Sequence, residues 1–380
     1  MAFDYSQYER YSRQIRLPGF GMPMQQKLDE AKVLVIGAGG LGCPALQYLA
    51  AAGVGTIGIV DSDIVTLSNL QRQVLYAEKD IGCLKAKKAA EVLSLLNPGI
   101  QFQVYTERLT SKNALEILAG YDVIIDGTDN FATRYLINDT CVLLNKPLVF
   151  GAVSQFEGQL AVFNAGRGGE VPVNYRDLFP VPPKDGEIPN CADDGVLGVL
   201  PGIIGTMQAN ETIKLITGIG EPLINRLFTY NALTNQTYEL ILVPGDRSTQ
   251  GLPANENEFK QTDYAAGCDV RDDELRLTPA QLDKMIGDKQ VVIIDVREKG
   301  ELPPLTVSHQ QLPLSSLGTE IPSFESDRWV FICQTGKRSM QTVLYFLGKE
   351  GLNKKLYSLD GGVLAWETFI NNKEHDKAHA

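Results

Sequence analysis

The feature that most constrains the fold is a series of short apolar segments that alternate with helical patterns between residues 32 and 150. The first segment, KVLVIG at 32–37, has the composition of a buried strand, and a helical pattern with small residues follows it at 41–53. A second predicted strand, TIGIVD, lies at 56–61. Chains that alternate strands with helices in this way form a mostly parallel sheet with helices on both faces. We therefore predict an α/β fold with a mainly parallel sheet.

Further elements continue this alternation: a helix at 85–96, a strand at 101–105, a helix at 111–120 and a strand at 121–127. After further predicted strands within 147–164, the segment 166–195 is rich in Gly, Pro and Asp. A loop of this length without secondary structure is uncommon and is usually functional or mobile. A helix at 196–218 and a β-hairpin at 227–243 complete the first predicted domain.

The chain has 380 residues, which is enough for two or three domains of about 100–200 residues each. The polar segment 244–263 contains Pro and Gly and has the composition of a linker. A second β/α alternation follows it. The predicted organisation is a first domain at 1–245, a linker at 246–274, a small α/β domain at 275–372 and a tail at 373–380.

Charge and composition exclude several classes of protein. The formal net charge of −11 disfavours nucleic-acid binding as a main task, because nucleic-acid binders need clustered cations. No apolar run reaches the roughly 18 residues that a membrane helix needs. The first residues have neither signal-peptide nor transit-peptide character. We therefore predict a soluble, cytoplasmic protein that binds neither nucleic acid nor a membrane.

The six cysteines are scattered and form no C-x-x-C pair, so they do not indicate a disulfide framework. Cys43, Cys83 and Cys141 lie in helical patterns. We predict that these three are buried and act as small hydrophobic residues. One or two of the others are candidates for nucleophiles.

The turn between the first strand and the first helix of the alternation contains the glycines Gly37, Gly39, Gly40 and Gly42. Their G-x-G-x-x-G spacing lets the backbone approach a phosphate, and the helix N-terminus supplies N–H groups and partial positive charge. Asp61 ends the next strand about 20 residues on, where its carboxylate can accept hydrogen bonds from ribose hydroxyls. The pattern predicts a Rossmann-like domain that binds a nucleotide.

The residues after Asp61 help to distinguish ATP from NAD. Polar and basic side chains concentrate there: Ser68, Asn69, Gln71, Arg72 and Lys85. A triphosphate needs cations to offset its charge during transfer, whereas nicotinamide hydride transfer has less need of them. Isolated Lys and Arg residues are usually solvated surface charges. The cluster favours ATP, and an NAD(P)-binding oxidoreductase is the alternative.

Four motifs together resemble the MoeB/ThiF/HesA family, the ubiquitin-activating-enzyme-like adenylyltransferases for sulfur carriers. They are RYSRQIRLPGFG, the GAGGLG turn, VDSDIVTLSNLQRQ, and DGTDN at 126–130. The similarity covers residues 8–243, and SNLQRQ is its most specific part. It implies that the protein binds ATP and Mg²⁺. It also implies that the C-terminal Gly-Gly carboxylate of a small ubiquitin-like sulfur-carrier protein attacks the α-phosphate, giving an acyl-adenylate and pyrophosphate.

The resemblance also implies roles for individual residues near the nucleotide. Gly39 and Gly40 approach the phosphates, and Asp61 holds the ribose. The side chains that contact the phosphates are Asn69, Arg72 and Lys85. Arg72 and Lys85 are therefore expected to be catalytic, because positioning and charge neutralisation account for most of the rate of such a transfer.

The same family resemblance implies a metal site and a dimer. Asp129 is the expected Mg²⁺ or phosphate-region carboxylate, and Asn130 lies beside it. The family fold is a homodimer. Arg13, in the RYSRQ motif, is accordingly expected to reach into the ATP site of the partner subunit.

Many members of the family hold a structural zinc ion with two C-x-x-C pairs. The matching positions here are NYRD at 174–177 and DRST at 246–249, and neither contains a cysteine. Hard oxygen groups do not replace four thiolates in a tetrahedral zinc site. We therefore predict no structural zinc. The end of the sheet that the zinc would hold together is then either stabilised by side-chain packing or less tightly held.

Cys191 lies in IPNCADDG, within the Gly- and Pro-rich segment. Because a cysteine at this position in relatives is thought to accept the carrier or a persulfide, the resemblance implies a catalytic role. The helix-forming run after Cys191 favours a thiolate, whereas Asp193 and Asp194 oppose it. An ordinary loop residue is the alternative.

The second domain resembles a single-domain rhodanese over about 275–372. The segment DVRE at 295–298 ends a predicted strand, and a cysteine loop follows another. The residues of the predicted persulfide loop are Cys333, Gly336, Lys337, Arg338 and Ser339. Bent backbone N–H groups, a helix N-terminus and two cations favour the thiolate and stabilise a persulfide. Tyrosine phosphatases have one more residue between cysteine and arginine, so the loop length favours a sulfurtransferase.

Together the two resemblances imply adenylation of the carrier and then sulfur transfer from a Cys333 persulfide, through Cys191 in one version. The product is a thiocarboxylate for molybdenum-cofactor or thiamine synthesis, and the sulfur donor is a protein such as a cysteine desulfurase. A non-catalytic carrier-binding protein is a second alternative, because the zinc cysteines are missing and ELPPLTVSHQQLPLSSL departs from the usual rhodanese sequence. Activation of a ubiquitin-like modifier for conjugation is a variant of the main interpretation.

Overall fold

A computed structural model describes residues 5–166, 171–180, 182, 195–246, 251–264, 275–317, 324, 326–347 and 354–378. Two compact units divide this part of the chain, the first running up to residue 264 and the second starting at residue 275. No helix among these residues is long and apolar enough to cross a membrane.

The first unit is an α/β structure with one eight-stranded sheet. Its helices are α1 (Tyr5–Ile15), α2 (Gly21–Glu30), α3 (Gly42–Ala52), α4 (Lys85–Leu96), α5 (Ala114–Ala119), α6 (Phe131–Leu144), α7 (Tyr175–Leu178), α8 (Val199–Thr217) and α9 (Glu256–Gln261). Its strands are β1 (Lys32–Ile36), β2 (Thr56–Val60), β3 (Gln101–Tyr105), β4 (Val123–Asp126), β5 (Leu148–Ser154), β6 (Glu157–Phe163), β7 (Arg226–Asn231) and β8 (Thr237–Ile241).

The strand order is β3-β2-β1-β4-β5-β6-β7-β8. Strands β3, β2, β1, β4 and β5 are parallel, and β6, β7 and β8 extend the sheet in antiparallel register. The predicted α/β fold with a mainly parallel sheet is therefore confirmed.

Strand β1 lies inside the sheet and is buried on both faces. Val33 and Val35 pack in one core layer with residues of α3 and α4, and Leu34 and Ile36 pack in the other with residues of α5 and α6. Full burial of each such side chain contributes about 1.5–3 kcal/mol to stability. A continuous apolar run is typical of a parallel strand that helices cover on both sides.

The topology places a crevice at one edge of this sheet. Strand β2 lies on one side of β1 and β4 lies on the other, so the chain reverses its direction of winding between them. Open parallel sheets bind ligands outside the carboxyl ends of the strands at such a switch point. The glycine turn follows β1 and residues 127–130 follow β4, which brings both predicted motifs to this crevice.

Part of the predicted linker at 246–274 belongs to the first unit. Helix α9 buries Phe259 completely, at 0% exposure, in the core layer that contains α6. The Tyr264 hydroxyl donates a hydrogen bond to Asp139 Oδ2 at 2.8 Å. The sequence suggested a linker because the rest of the segment is polar, yet two aromatic residues suffice to anchor it.

The predicted burial of three cysteines holds for two of them. Cys43 and Cys141 are buried, and burial raises the pKa of the Cys43 thiol to about 12. Cys83 is exposed, so that prediction was wrong. The chain forms a turn there, with Cys83 N donating to Asp80 O, and α4 begins only at Lys85.

The second unit is a smaller α/β structure with a five-stranded parallel sheet of order β11-β10-β12-β13-β9. Its strands are β9 (Arg276–Leu277), β10 (Val291–Asp295), β11 (Gln310–Gln311), β12 (Arg328–Ile332) and β13 (Lys355–Leu359). Its helices are α10 (Pro279–Met285), α11 (Lys337–Leu347) and α12 (Gly362–Ala378).

Strand β12 is central to this sheet and packs on both faces. Trp329 and Phe331 pack against residues of α11, and Val330 and Ile332 pack on the opposite side with residues of α12. Helix α12 continues to Ala378, so the predicted tail at 373–380 begins as the last turns of a helix.

Candidate active sites

The glycine turn of the first unit brings the ends of β1 and β4 close together. Gly37 has φ +92°, and a Cβ there would lie 2.7 Å from Gly127 O. A Cβ at Gly42 would lie 1.8 Å from Gly37 O. Only glycine fits both positions without a backbone shift. Gly39 and Gly40 are half-buried on the open side of the turn, where their backbone remains accessible to a ligand.

The carboxylate of Asp61, which follows β2, is tied to this turn. Its Oδ2 accepts a hydrogen bond from Ala38 N and its Oδ1 accepts one from Asp63 N, both at 2.8 Å. Burial raises the pKa of Asp61, and the nearby Lys85 ammonium acts in the opposite direction. Each carboxylate oxygen has a further lone pair, so Asp61 can also accept hydrogen bonds from ribose hydroxyls.

Lys85 is the first residue of α4 and is only 6% exposed. Its Nζ lies 2.9 Å from Oδ2 of Asp63, whose side chain is 71% exposed. A cation at a helix N-terminus opposes the helix dipole, and burial of an amine costs free energy. The position is therefore unfavourable for folding alone and suits a lysine that binds an anion. The pairing of Lys85 with Asp63 was not predicted.

Arg72 lies beside the glycine turn. Its Nη1 donates to Ser68 O at 3.1 Å, and a Cβ at Gly40 would lie 3.5 Å from Arg72 Cδ. Asn69 Oδ1 accepts a hydrogen bond from Thr66 N at 3.3 Å, so part of this side chain caps the turn at Leu67–Asn69. Arg72 and Lys85 thus approach the turn from different segments of the chain.

Two glutamines flank Arg72 and differ in their surroundings. Gln71 packs against the start of α8, where a Cβ at Gly198 would lie 2.3 Å from Gln71 Oε1. Gln73, which we did not predict, is 3% exposed and has no partner for its Oε1 among the described residues. A Cβ at Gly39 would lie 3.6 Å from Gln73 Nε2. An unsatisfied buried acceptor beside the glycine turn fits a site that binds a polar ligand.

The loop after β4 supplies the next carboxylates. Asp126 is buried, and its Oδ1 accepts hydrogen bonds from the backbone N and the hydroxyl of Thr128, at 2.9 and 2.6 Å. Burial raises the pKa of Asp126. Asp129 is exposed at the crevice. Asn130 is the N-cap of α6 and accepts from Thr133 N at 2.9 Å, so its side chain has a local structural role.

Gln208 of α8 is a further residue that sequence analysis missed. It is fully buried, and its Nε2 donates to Asp126 O at 2.7 Å and to Val149 O at 3.2 Å. A Cβ at Gly151 would lie 2.5 Å from Gln208 Cδ, so the glycine makes room for it. Gln208 fixes the carboxyl end of β4 from behind. The available signal was a glutamine in an otherwise apolar helical run.

Arg13 lies on the exposed side of α1. Within the described part of its own chain it makes no hydrogen bond or ion pair with Arg72, Lys85 or Asp129. Cys191 lies outside the described residues, and so do three of the four positions at 246–249.

Polar side chains occupy the positions that match the zinc pairs of relatives. Asp177 Oδ1 accepts a hydrogen bond from Gly245 N at 2.6 Å, which joins the first matching segment to the residue just before the second. Next to them Arg176 Nη2 lies 2.7 Å from Asp139 Oδ2 in a buried ion pair. Asp139 also accepts from Tyr264, so a polar network ties these segments to α6.

The cysteine loop of the second unit begins where β12 ends. Cys333 is 1% exposed, and its Sγ accepts hydrogen bonds from Gly336 N at 3.1 Å and from Ser339 Oγ at 3.4 Å. Ser339 Oγ lies 2.8 Å from Ser358 Oγ behind the sulfur. A Cβ at Gly362 would lie 2.2 Å from Cys333 O. The loop therefore surrounds one sulfur atom with donors, as a thiolate or persulfide requires.

Two arginines border this loop, and each is paired with a carboxylate. Arg297 Nη2 lies 2.8 Å from Asp295 Oδ2, and Arg297 Nη1 also donates to Gln334 Oε1 at 3.2 Å. Arg338 donates to both carboxylate oxygens of Glu301, which was not among the predicted site residues. The side chain of Lys337 lies outside the described part of the chain.

Comparison with known protein families agrees with the division of the chain into two units. The ThiF family model matches residues 11–251, and the Rhodanese-like domain model matches residues 278–368. Most of the described residues of each unit thus fall within one family match. The predicted resemblances to both families are confirmed.

Two of the following relatives match almost the whole chain, and the third matches 71% of it. "Probable adenylyltransferase/sulfurtransferase MoeZ" of Mycobacterium tuberculosis is 42% identical over 377 residues, covering 96% of this chain and 94% of the relative. "Adenylyltransferase and sulfurtransferase MOCS3" of Arabidopsis thaliana is 39% identical, covering 96% and 84%. "Sulfur carrier protein adenylyltransferase" of Thermus thermophilus is 48% identical over 279 residues, covering 71% and 100%.

Solved structures show the same fold at lower identity. MccB of E. coli, solved with ATP, has a TM-score of 0.54 at 21% identity and covers 63% of this chain and 73% of its own. SeMet PaaA has a TM-score of 0.53 at 24% identity, with coverage of 63% and 75%. On its family match and on its relatives of about 40% identity, the chain belongs to the ThiF family and carries a rhodanese-like domain after its ThiF region.

Proposed function

We propose that this chain uses ATP to adenylylate the C-terminal glycine carboxylate of a small ubiquitin-like sulfur-carrier protein, and that its second unit supplies sulfur from a persulfide on Cys333. It is an adenylyltransferase with a sulfurtransferase domain, as its relatives are. One observation carries the proposal: Arg72 borders Gly40 of an open glycine turn at the switch point of the sheet, and Lys85, a buried amine at a helix N-terminus, acts on Asp61, which is bonded to that turn.

The residues of the first unit fit ATP as substrate. The half-buried backbone at Gly39 and Gly40 faces the phosphates, and Asp61 accepts hydrogen bonds from the ribose. Arg72 and Lys85 neutralise the charge that develops while the carrier carboxylate oxygen attacks the α-phosphorus and pyrophosphate leaves. Lys85 must exchange Asp63 for a phosphate when ATP enters. This exchange costs little free energy, because Asp63 is exposed and an ion pair with an exposed carboxylate is weak.

We place Mg²⁺ at Asp129. Magnesium binds one or two protein carboxylates and completes its shell with water and substrate phosphates, so a single exposed aspartate is a fitting ligand. When bound, the ion supplies charge neutralisation at the leaving pyrophosphate. The described residues contain no cluster of three or more His, Cys, Asp or Glu.

Arg13 acts, in this proposal, on the ATP site of a partner subunit in a homodimer. Its side chain is exposed on α1. Mixing Arg13→Ala subunits with Arg72→Ala subunits tests this assignment. If Arg13 acts across the dimer, mixed dimers keep one intact site and recover part of the activity that each variant lacks.

The sulfur step follows from the cysteine loop. The terminal sulfur of the Cys333 persulfide attacks the acyl carbon of the adenylate, and AMP leaves with the bonding electron pair. A second thiolate then attacks the Cys333 sulfur, the S–S bond breaks, and the carrier departs as a thiocarboxylate. We assign this thiolate to Cys191. The disulfide that results is reduced by an external dithiol, and a cysteine desulfurase restores the persulfide.

ATP–pyrophosphate exchange with candidate carriers that end in Gly-Gly tests the first step. We expect carrier-dependent exchange that Arg72→Ala abolishes. ATP binding without exchange for any carrier would support a non-catalytic carrier-binding protein, and retention of NAD(H) instead of ATP would support an oxidoreductase. The carrier that supports exchange also separates molybdenum-cofactor synthesis, thiamine synthesis and modifier conjugation.

A further inference from the structure

The entrance of the cysteine loop carries an acid whose position the loop sequence alone does not reveal. Glu301 Oε1 accepts from Arg338 Nη1 at 2.7 Å, and Glu301 Oε2 accepts from Arg338 Nη2 at 2.6 Å. Arg338 is the second residue of α11, five positions after Cys333. Both terminal nitrogens of the arginine nearest to the sulfur loop are therefore engaged by one carboxylate in a fork-to-fork pair.

The backbone holds Glu301 in this position. Glu298 N donates to Glu301 Oε1 at 2.8 Å, so the carboxylate has a third fixed donor. The next residues are tied to the loop itself, since Gln334 Nε2 donates to Leu302 O at 3.1 Å and Arg297 Nη1 donates to Pro303 O at 2.7 Å. Moving Glu301 away from Arg338 would break contacts on both sides of the pair.

The pair changes the charge that an entering molecule meets. The Arg338 guanidinium holds the pKa of Glu301 below its usual range, so the carboxylate is ionised at neutral pH. Asp295 pairs in the same way with Arg297 beneath the loop. The two arginines that border Cys333 are thus each paired with a carboxylate, and among the described groups the backbone donor beside Sγ is left to attract an anion.

From this arrangement we infer that Glu301 determines the class of sulfur donor: it disfavours small dianionic donors of the thiosulfate type and leaves persulfides of thiols as the substrates of Cys333. The inference rests on the proposed persulfide role of Cys333. A guanidinium binds an oxyanion such as the sulfonate group of thiosulfate through two parallel hydrogen bonds, and here both terminal nitrogens of Arg338 already donate to a carboxylate. The persulfide of a thiol carries one negative charge on its terminal sulfur and needs no such partner.

The two reactions differ most in their leaving groups. With thiosulfate, the Cys333 thiolate attacks the outer sulfur, the bond to the sulfonate sulfur breaks, and sulfite leaves as a dianion with the electron pair. With a thiol persulfide, the same attack releases a thiolate with a single charge at the leaving sulfur, and the carboxylates of a donor such as glutathione lie several bonds away from that sulfur. Both reactions leave a persulfide on Cys333 and need no further oxidant. The anionic carboxylate of Glu301 therefore opposes the first leaving group more strongly than the second.

The test compares Glu301→Gln with the unchanged full-length protein. Thiosulfate consumption is followed as thiocyanate formation with cyanide, and persulfide transfer is followed with glutathione persulfide and the same acceptor. We expect kcat/KM for thiosulfate to rise about tenfold, the scale of one freed charge-assisted hydrogen bond. For glutathione persulfide we expect a change of less than about twofold. The gain should shrink as ionic strength rises, because salt screens a partly exposed charge.

Glu298→Gln is the matched control. It removes an equal charge three residues away, where Glu298 Oε1 accepts a long bond from Ser315 N at 3.2 Å and the side chain has no other partner within the described ranges. An equal rise in both variants would overturn the inference, because general charge rather than the pair would then control the donor. No rise in Glu301→Gln would overturn it as well. If thermal unfolding shows that Glu301→Gln is unfolded, Glu301→Ser is measured against the same expectations.

The outcome is separable from that of the proposed function. Loss of both reactions in Cys333→Ala supports the persulfide role whatever Glu301 does. If glutathione persulfide fails to load Cys333 in the unchanged protein, the proposed sulfur step fails, and the inference about its donor fails with it. If loading succeeds but the ratio of the two donors is the same in Glu301→Gln, only the inference about Glu301 is wrong.

Discussion

The two candidate active sites occupy equivalent places in their units but are assembled differently. One follows β1 of the first unit and the other follows β12 of the second, and in both the chain passes from a buried parallel strand through a glycine-containing turn into a helix. In the first, the charged side chains come from distant segments, with Arg72 and Lys85 approaching Gly40 and Asp63. In the second, one loop of consecutive residues provides most of the donors to Cys333.

The difference reflects what each site must hold. A triphosphate is long and highly charged, so cations from several elements are needed to neutralise it. One sulfur atom needs only a few donors at short distance, which a bent backbone and a hydroxyl can provide. The arginines of the two sites differ in the same way. The described hydrogen bond of Arg72 is to a backbone carbonyl, so its charge is left for a phosphate, whereas the charge of Arg338 is neutralised by a carboxylate.

The largest effects should separate the two activities completely. We expect Lys85→Ala to lower carrier-dependent ATP–pyrophosphate exchange by about 100-fold or more, because its charge acts on the transferred phosphate, while persulfide loading is unchanged. Cys333→Ser should abolish persulfide loading and leave exchange intact. Both reactions are measured on each variant. Lys87→Ala, on the exposed face of α4, is the control and should change neither.

If Cys333→Ser also abolished exchange, the two sites would not act independently, and the contrast between them would be wrong. If Lys87→Ala were as damaging as Lys85→Ala, general charge on α4 would explain the effect. The buried position of Lys85, at 6% exposure, would then have no special role.

Replacing a glycine in the first turn, or the glycine of α12 that packs against the cysteine loop, should give the next largest effect. A Cβ at Gly42 would lie 1.8 Å from Gly37 O, and one at Gly362 would lie 2.2 Å from Cys333 O at φ +60°. We expect each alanine variant to lose about 2–4 kcal/mol in the free energy of unfolding of its own unit. Urea unfolding measures this.

Tryptophan fluorescence reports on the unfolding of the second unit alone. Trp329 and Trp366 are the only tryptophans of the sequence, and both lie in the core of the second unit. Their fluorescence should therefore shift to lower urea in Gly362→Ala and stay unchanged in Gly42→Ala. Gly82→Ala is the control, because Gly82 has φ +86° but nothing within 4 Å of its added Cβ. A fluorescence shift in Gly42→Ala would mean that the units do not unfold independently.

The central strands and the turns that follow them were predictable from the sequence. Continuous apolar runs specify buried parallel strands. Gly37 and Cys333 stand directly after such runs and Gly42 opens the next helix, so local pattern and topology together place them at the sheet edge. The pairing of Glu301 with Arg338 was not predictable, because it joins residues 37 positions apart through a segment without a regular pattern.

Local structure also changed the interpretation of some polar residues. Asn130 stood beside a predicted metal carboxylate, yet it caps α6, because asparagine before a helix satisfies a free backbone N–H. Gln208 gave no periodic signal, since one buried glutamine in an apolar helix does not alter the hydrophobic pattern. Helix α9 was hidden for the opposite reason, because a single buried aromatic residue anchors an otherwise polar segment.

Phe259→Ala tests whether α9 belongs to the first unit. The side chain is fully buried in the core layer next to α6, so its removal should cost about 3–4 kcal/mol. Circular dichroism during urea unfolding should show an earlier transition of the first unit, and tryptophan fluorescence should be unchanged. Phe156→Ala, at a side chain that is 41% exposed, should change stability by less than about 0.5 kcal/mol. If Phe259→Ala and Phe156→Ala changed stability equally, residues 256–261 would be part of a linker and not of the first unit.

The smallest expected effects come from a buried hydroxyl beneath each turn. Tyr76 OH lies 2.8 Å from Ala38 O and 3.2 Å from Lys85 O, so it joins the glycine turn to the start of α4. Ser358 Oγ lies 2.8 Å from Ser339 Oγ and donates to Gly336 O at 3.2 Å. Removal of either hydroxyl should cost about 1 kcal/mol in stability, the usual net value of such hydrogen bonds.

Tyr76→Phe and Ser358→Ala should change different activities, because each hydroxyl supports a different site. Tyr76→Phe should raise the KM for ATP a few-fold, by about 1 kcal/mol of binding, because two of the segments that form the phosphate site lose their connection. Tyr105→Phe, a tyrosine that bonds Gln103 instead, is its control and should leave the KM unchanged. Ser358→Ala should instead change the rate of Cys333 alkylation at a fixed pH, because Ser339 then loses the hydroxyl that orients it toward the sulfur. A change in the ATP KM from Ser358→Ala, or in alkylation from Tyr76→Phe, would show that the turns are coupled rather than separately assembled.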